Sequence, residues 1–168
     1  VKKLVSVILL LFVTFFSNQV LAELKDLSGK TRTVNDYLAK DKWLVAILWA
    51  SDCHVCNVEA EQYIQFHEDN KDKHIKMIGI SLDGQAKIKD AQDFIKRHEV
   101  TYQNLIGEPE YVATMYESLT GGPWIGTPTI LVYDPRGVLQ AAQPGAVPVE
   151  LIEEFVQSRM AQAKSGQK

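Results

Sequence analysis

The sequence predicts an α/β sandwich: a central mixed sheet with flanking helices and a C-terminal antiparallel hairpin. Three observations carry this. Trp43 to Trp49, His74 to Ser81 and Thr129 to Tyr133 are short, nearly continuous apolar runs, as expected of strands buried on both faces. Segments with apolar residues at helical spacing lie between the first two runs and after the second. The turn Asp134-Pro135-Arg136-Gly137 joins the third run to Val138–Ala142, which predicts a hairpin.

The elements follow in order. Leu24 to Thr33 holds a turn at Ser28-Gly29-Lys30 between two short strands. Val34 to Lys40 reads as a short helix capped near Asn35 or Asp36. After the Trp43–Trp49 strand, a helix is expected from about Cys53 to His67, with Asp52 or Ser51 as its N-cap. At 100° per residue, Val55, Val58, Tyr63 and Phe66 fall on one arc of that helix, with Glu59 in the middle and Gln62 beside it. Asp69 to His74 is a charged loop, and Leu82-Asp83-Gly84 is a turn. Ala86 to His98 is an amphipathic helix carrying Ile88, Ala91, Phe94 and Ile95. A short strand within Val100–Ile106 and a short helix over Tyr111–Leu119 follow, the latter entered through Glu108-Pro109-Glu110. Thr120 to Pro128 is a loop with three glycines and two prolines. Pro148 to about Ala163 closes the domain as an amphipathic helix using Leu151, Ile152, Phe155, Val156 and Met160.

The 168-residue length suits one domain. Residues 1–22 carry Lys2 and Lys3, an apolar stretch and a small-residue end at Val20-Leu21-Ala22, the pattern of a signal peptide. The apolar stretch is also nearly long enough for a retained anchor. Both readings predict an extracytoplasmic domain over 23–163, periplasmic or its equivalent, soluble or tethered, and a flexible tail over 164–168. The net charge is −3, which gives no electrostatic reason to expect nucleic acid as a partner.

Cys53 and Cys56 are the only cysteines. They close a loop too small for effective stapling. They lie where a buried strand hands over to a helix, whose N-terminal N–H groups stabilise a thiolate. That context reads as a redox dithiol, with Cys53 attacking and Cys56 resolving. Glu59 on an apolar face would have a raised pKa and would be placed to exchange protons with Cys56; on a rotated helix it would be a surface residue. Asp52 opposes a Cys53 thiolate if it is not simply a cap, and His54 favours one when protonated.

Trp49-Ala50-x-x-Cys53-x-x-Cys56 after a buried strand, with Gly126-Thr127-Pro128-Thr129 entering a late strand, resembles the thioredoxin superfamily. Ile78-Gly79-Ile80-Ser81-x-Asp83, the following helix, Val100-Thr101-Tyr102 and the hairpin resemble its exported TlpA/ResA-like thiol–disulfide oxidoreductases. The resemblance implies a thioredoxin-like sandwich and a cis-proline at Pro128 facing the dithiol. It implies that Thr127 pairs with an extended substrate and that Glu59 takes part in the acid–base behaviour of the pair. It also implies reduction of disulfides in exported proteins, with electrons from a membrane thiol donor; a monomer without a cofactor is expected. The chain departs from the family at Asp52, Val55 and Ile47, where an aromatic residue, a proline and thioredoxin's strand acid are usual. The glycine-rich Thr120–Ile125 segment is expected either to shape a substrate groove with Trp124 or to pack that ring onto the body.

The alternative is a dithiol metal-binding protein or copper chaperone, with soft sulfur ligands. No second CxxC exists, His67, His74 and His98 show no ligand spacing to the pair, and Asn57 stands where a haem-attachment motif needs histidine. No metal is therefore expected. A single-cysteine peroxidase is a third reading, without the surrounding residues such a cysteine needs.

Overall fold

The computed structural model describes residues 23–165. The signal-peptide reading of residues 1–22 and the end of the tail lie outside the described residues. Seven strands form one sheet in the order β2-β1-β5-β4-β3-β6-β7. They are β1 (Leu24–Asp26), β2 (Thr31–Arg32), β3 (Trp43–Trp49), β4 (Ile75–Ser81), β5 (Gln103–Ile106), β6 (Thr129–Tyr133) and β7 (Leu139–Pro144). The helices are α1 (His54–Asn70), α2 (Ile88–Arg97), α3 (Pro109–Thr120) and α4 (Val149–Ser165), with 3-10 turns at Val34–Tyr37 and Gln85–Lys87.

β3 is the centre. It pairs parallel with β4 and antiparallel with β6. Every residue of β3 is buried, which is why its sequence is apolar throughout rather than alternating. Side chains still alternate between two cores. Trp43, Val45, Ile47 and Trp49 pack with α1, α2 and α4. Leu44, Ala46 and Leu48 pack with Val112 and Tyr116 of α3. Helices therefore cover both faces, as a thioredoxin-like α/β sandwich requires. At the far edge, β1 pairs antiparallel with β5 and carries β2, a placement that periodicity does not encode.

Three expectations need correction. The 3-10 turn at Val34–Tyr37 is capped by Thr33, with the Asp36 carboxylate accepting from the Thr33 N–H at 2.7 Å. A carboxylate three residues in reaches back to the cap, which short-range spacing alone left ambiguous. On α1, the buried stripe is Cys56, Ala60, Tyr63 and Phe66, whereas Val55 and Val58 are 41% and 63% exposed. Val58 lies about 200° around the helix from Cys56, so both cannot face inward. On α4, Leu151 is exposed, and Ile152 and Val156 form the buried stripe.

β3, β4 and β5 all run parallel, so Trp49, Ser81 and Ile106 end at one edge of the sheet. The loops after β3 and β4 meet there, and Leu82 N–H donates to Trp49 C=O at 2.8 Å. This is the edge at which ligand sites of open α/β sheets form.

Candidate active site

The loop after β3 turns tightly, with Cys53 N–H donating to Ala50 C=O at 3.2 Å. It delivers Cys53 to the N-cap of α1 in extended backbone, φ −72° and ψ 111°. The N-cap is thus Cys53 itself, not Asp52 or Ser51. Its Sγ accepts the Cys56 N–H at 3.1 Å, the contact that a serine or aspartate oxygen makes at an ordinary cap. A thiolate there gains a charge-assisted hydrogen bond and the positive end of α1.

Cys53 and Cys56 are joined as a disulfide with Cα atoms 5.2 Å apart. Their burial differs. Cys56 is 3% exposed and lies within the core, whereas Cys53 is part-exposed at its margin. Only Cys53 presents sulfur to an incoming disulfide.

Across from it, the Thr127–Pro128 bond is cis. Thr127 C=O lies 3.6 Å from Cys53 Sγ. Pro128 is buried, and its carbonyl accepts from Gly145 N–H at 2.8 Å at the end of β7. Gly126 enters this turn with φ 144°, a conformation that favours glycine, and its carbonyl accepts from Thr129 Oγ1 at 2.6 Å. The main chain facing Cys53 is therefore pinned from both sides.

A cleft of about 290 Å³ adjoins this turn, lined in part by Ala50, Asp52, Lys87, Trp124 and Thr127. The Trp124 ring packs edge-on against Tyr116, ring centroids 5.2 Å apart, and the Trp124 backbone N–H donates to the Glu117 carboxylate at 3.1 Å. The ring thus rests on the body and also lines the cleft. Asp52 and His54 are exposed. Asp52 stands 3.9 Å from Lys87 Nζ, which offsets its charge beside Cys53. Glu59 is half-buried at the margin of the inward stripe rather than at its centre, and its carboxylate accepts from Gln62 Nε2.

Sequence reasoning missed two residues. Asp83 is 8% exposed and accepts from Ser51 N–H at 3.1 Å, from Ser51 Oγ at 2.7 Å and from Ser81 Oγ at 2.6 Å. Asn57 Nδ2 donates to Ser51 C=O at 3.1 Å and Cys53 C=O at 2.9 Å. Together they hold the loop that carries the dithiol. Their signals were a polar residue beside each motif, with partners far along the chain. Among the described residues, no three histidine, cysteine or acidic side chains gather into a metal-ligand set.

The AhpC/TSA family model matches residues 19–142, most of the chain. The chain belongs to the AhpC/TSA family. Among the relatives of this AhpC/TSA chain is the thiol-disulfide oxidoreductase ResA of Oceanobacillus iheyensis. It is 24% identical over 139 residues, 83% of this chain and 62% of that protein. The chain therefore spans less than two thirds of that relative's length. A solved DsbF homologue from Corynebacterium diphtheriae is 26% identical, with TM-score 0.67, covering 82% of this chain and 83% of that one. The thioredoxin domain of a Bacteroides vulgatus thiol-disulfide oxidoreductase is 25% identical, with TM-score 0.63, covering 78% and 89%. StoA from Bacillus subtilis, 19% identical with TM-score 0.61 over 80% and 94%, shares the fold.

Proposed function

We propose that the protein is a thiol–disulfide oxidoreductase that reduces disulfides of exported proteins. The observation that carries this reading is the asymmetry of the pair. Cys53 Sγ is reachable, capped by Cys56 N–H and faced by Thr127 C=O, while Cys56 is buried behind it. The Cys53 thiolate attacks a substrate disulfide, forming a mixed disulfide and releasing one substrate thiolate. Cys56, deprotonated, then attacks Cys53 Sγ. The Cys53–Cys56 disulfide forms, the second substrate thiolate leaves, and two electrons have passed to the substrate.

Thr127 and Pro128 hold the substrate chain beside Cys53 as an added strand, and Trp124 walls the adjoining cleft. Glu59, at the margin of the Cys56 face, relays the proton that Cys56 gives up. A membrane thiol donor restores the dithiol. The apolar segment in residues 1–22 supports an extracytoplasmic location; among the described residues no helix is long and apolar enough to cross a membrane.

The test is trapping. Cys56→Ser protein, expressed in its native compartment, should accumulate mixed disulfides through Cys53 with proteins that enter oxidised. A folded variant that traps nothing, together with stoichiometric copper or zinc on the purified wild type, would replace this reading with the metal-binding one.

A further inference from the structure

Asn57, directly after the second cysteine, bridges two elements distant in sequence. Its Nδ2 donates to Ser51 C=O and Cys53 C=O. Carbonyl oxygens only accept, so the amide orientation is fixed and Oδ1 faces the other way. There it meets Arg97 Nη2 at 2.8 Å and His98 Nε2 at 3.0 Å, at the end of α2. Both must donate, which assigns the proton of His98 to Nε2. Burial, and then the neighbouring Arg97 charge, hold the His98 pKa below its usual range, so a neutral ring carries that proton. The same ring lies 4.5 Å from Phe94, which stacks on Trp49 at the end of β3.

We propose that Asn57 is a positioning residue for the dithiol, clamping the Ser51–Cys53 loop to the Arg97–His98 end of α2 so that Cys53 Sγ stays over the Cys56 N–H. The clamp acts through geometry. It fixes the peptide planes on either side of Asp52 and Cys53, and so the extended cap conformation of Cys53. It gives the Ser51 carbonyl a donor and adds a second donor to the Cys53 carbonyl, which also accepts the Asn57 backbone N–H at 3.1 Å. A charged Cys53 sulfur gains more from the Cys56 N–H held in this way than a disulfide sulfur does, which favours the reduced form and makes the pair more oxidising.

This inference rests on the dithiol chemistry proposed above, and the experiment separates the two. The thiolate fraction of Cys53 is read by ultraviolet absorbance in reduced Cys56→Ser protein at fixed pH below the Cys53 pKa. The equilibrium of the Cys53–Cys56 pair with glutathione is read in the parent protein. Asn57→Ala should lower the thiolate fraction about fivefold and shift the equilibrium toward the disulfide by a similar factor, as loss of about 1 kcal/mol of hydrogen bonding implies. Asn57→Asp keeps the shape and the acceptor but removes both donated bonds. It should shift both readouts in the same direction, and it carries the test if the alanine variant does not fold. His98→Leu should give a smaller shift in the same direction, and His98→Gln, which restores an N–H donor, should recover wild-type values. Folded Asn57 variants that stay at wild-type values in both readouts, beside a wild type that reduces insulin, overturn the clamp alone. A wild type that cannot reduce insulin overturns the functional reading with it.

Discussion

Asp83 and Asp134 are two buried aspartates in turns that leave β4 and β6, the two neighbours of β3. β4 is parallel to β3 and β6 antiparallel, so the turns sit at opposite ends of the sheet. Asp134 satisfies itself locally. It accepts from Arg136 N–H at 2.9 Å, Val138 N–H at 3.0 Å and the Arg136 guanidinium at 2.6 Å. Asp83 instead reaches Ser51, 32 residues earlier, and holds the loop before Cys53. Both remove a carboxylate from water and saturate it with donors, as burial demands. One thereby closes a hairpin, and the other ties the dithiol loop to the neighbouring strand. Burial alone does not distinguish a structural acid from one that serves a site; the sequence distance of its partners does.

Substitutions at the two turns sharpen this difference. The largest effect is expected for Asp83→Ala, which leaves the Ser51 N–H and the Ser51 and Ser81 hydroxyls without their shared acceptor. It should cost about 2–4 kcal/mol in urea unfolding and slow insulin reduction several-fold. Asp134→Ala should cost about 1–3 kcal/mol, yet leave the reduction rate of the remaining folded protein at the wild-type level. Equal losses of rate from the two would break the comparison.

A smaller effect comes from pH. Burial pushes the Asp134 pKa up, but the hydrogen bonds from Arg136, Val138 N–H and Arg136 N–H outweigh it and leave the pKa below its ordinary 3.8. A depressed carboxylate pKa contributes stability above the unfolded value, and that stability is lost as pH falls through the folded one. The wild-type Tm should therefore fall relative to Asp134→Asn as pH drops below about 4. Parallel Tm profiles would contradict the assignment.

Much of the fold was legible because its signals are local. The buried strands β3, β4 and β6 announce themselves as apolar runs, and Asp134-Pro135-Arg136-Gly137 carries its turn chemistry within four residues. The dithiol was legible for the same reason, being a short motif between two strong local patterns. What escaped was non-local. Asp83 looked like a turn residue because Ser51 lies on another loop, and Asn57 gave no sign of partners 40 and 41 residues away. The N-cap was misplaced because oxygen side chains are the usual caps, and here sulfur takes that part. The α1 face was misread because two valines outweighed cysteine and alanine in the hydropathy pattern, although the inward stripe runs through Cys56 and Ala60.

The central claim is that Cys53 attacks and Cys56 resolves. It is tested most directly by reacting the reduced protein with glutathione disulfide, quenching with acid and locating glutathione by peptide mass. The account predicts glutathione on Cys53, transient in the wild type and persistent in Cys56→Ser. Glutathione on Cys56, or on neither cysteine in folded protein, would contradict it.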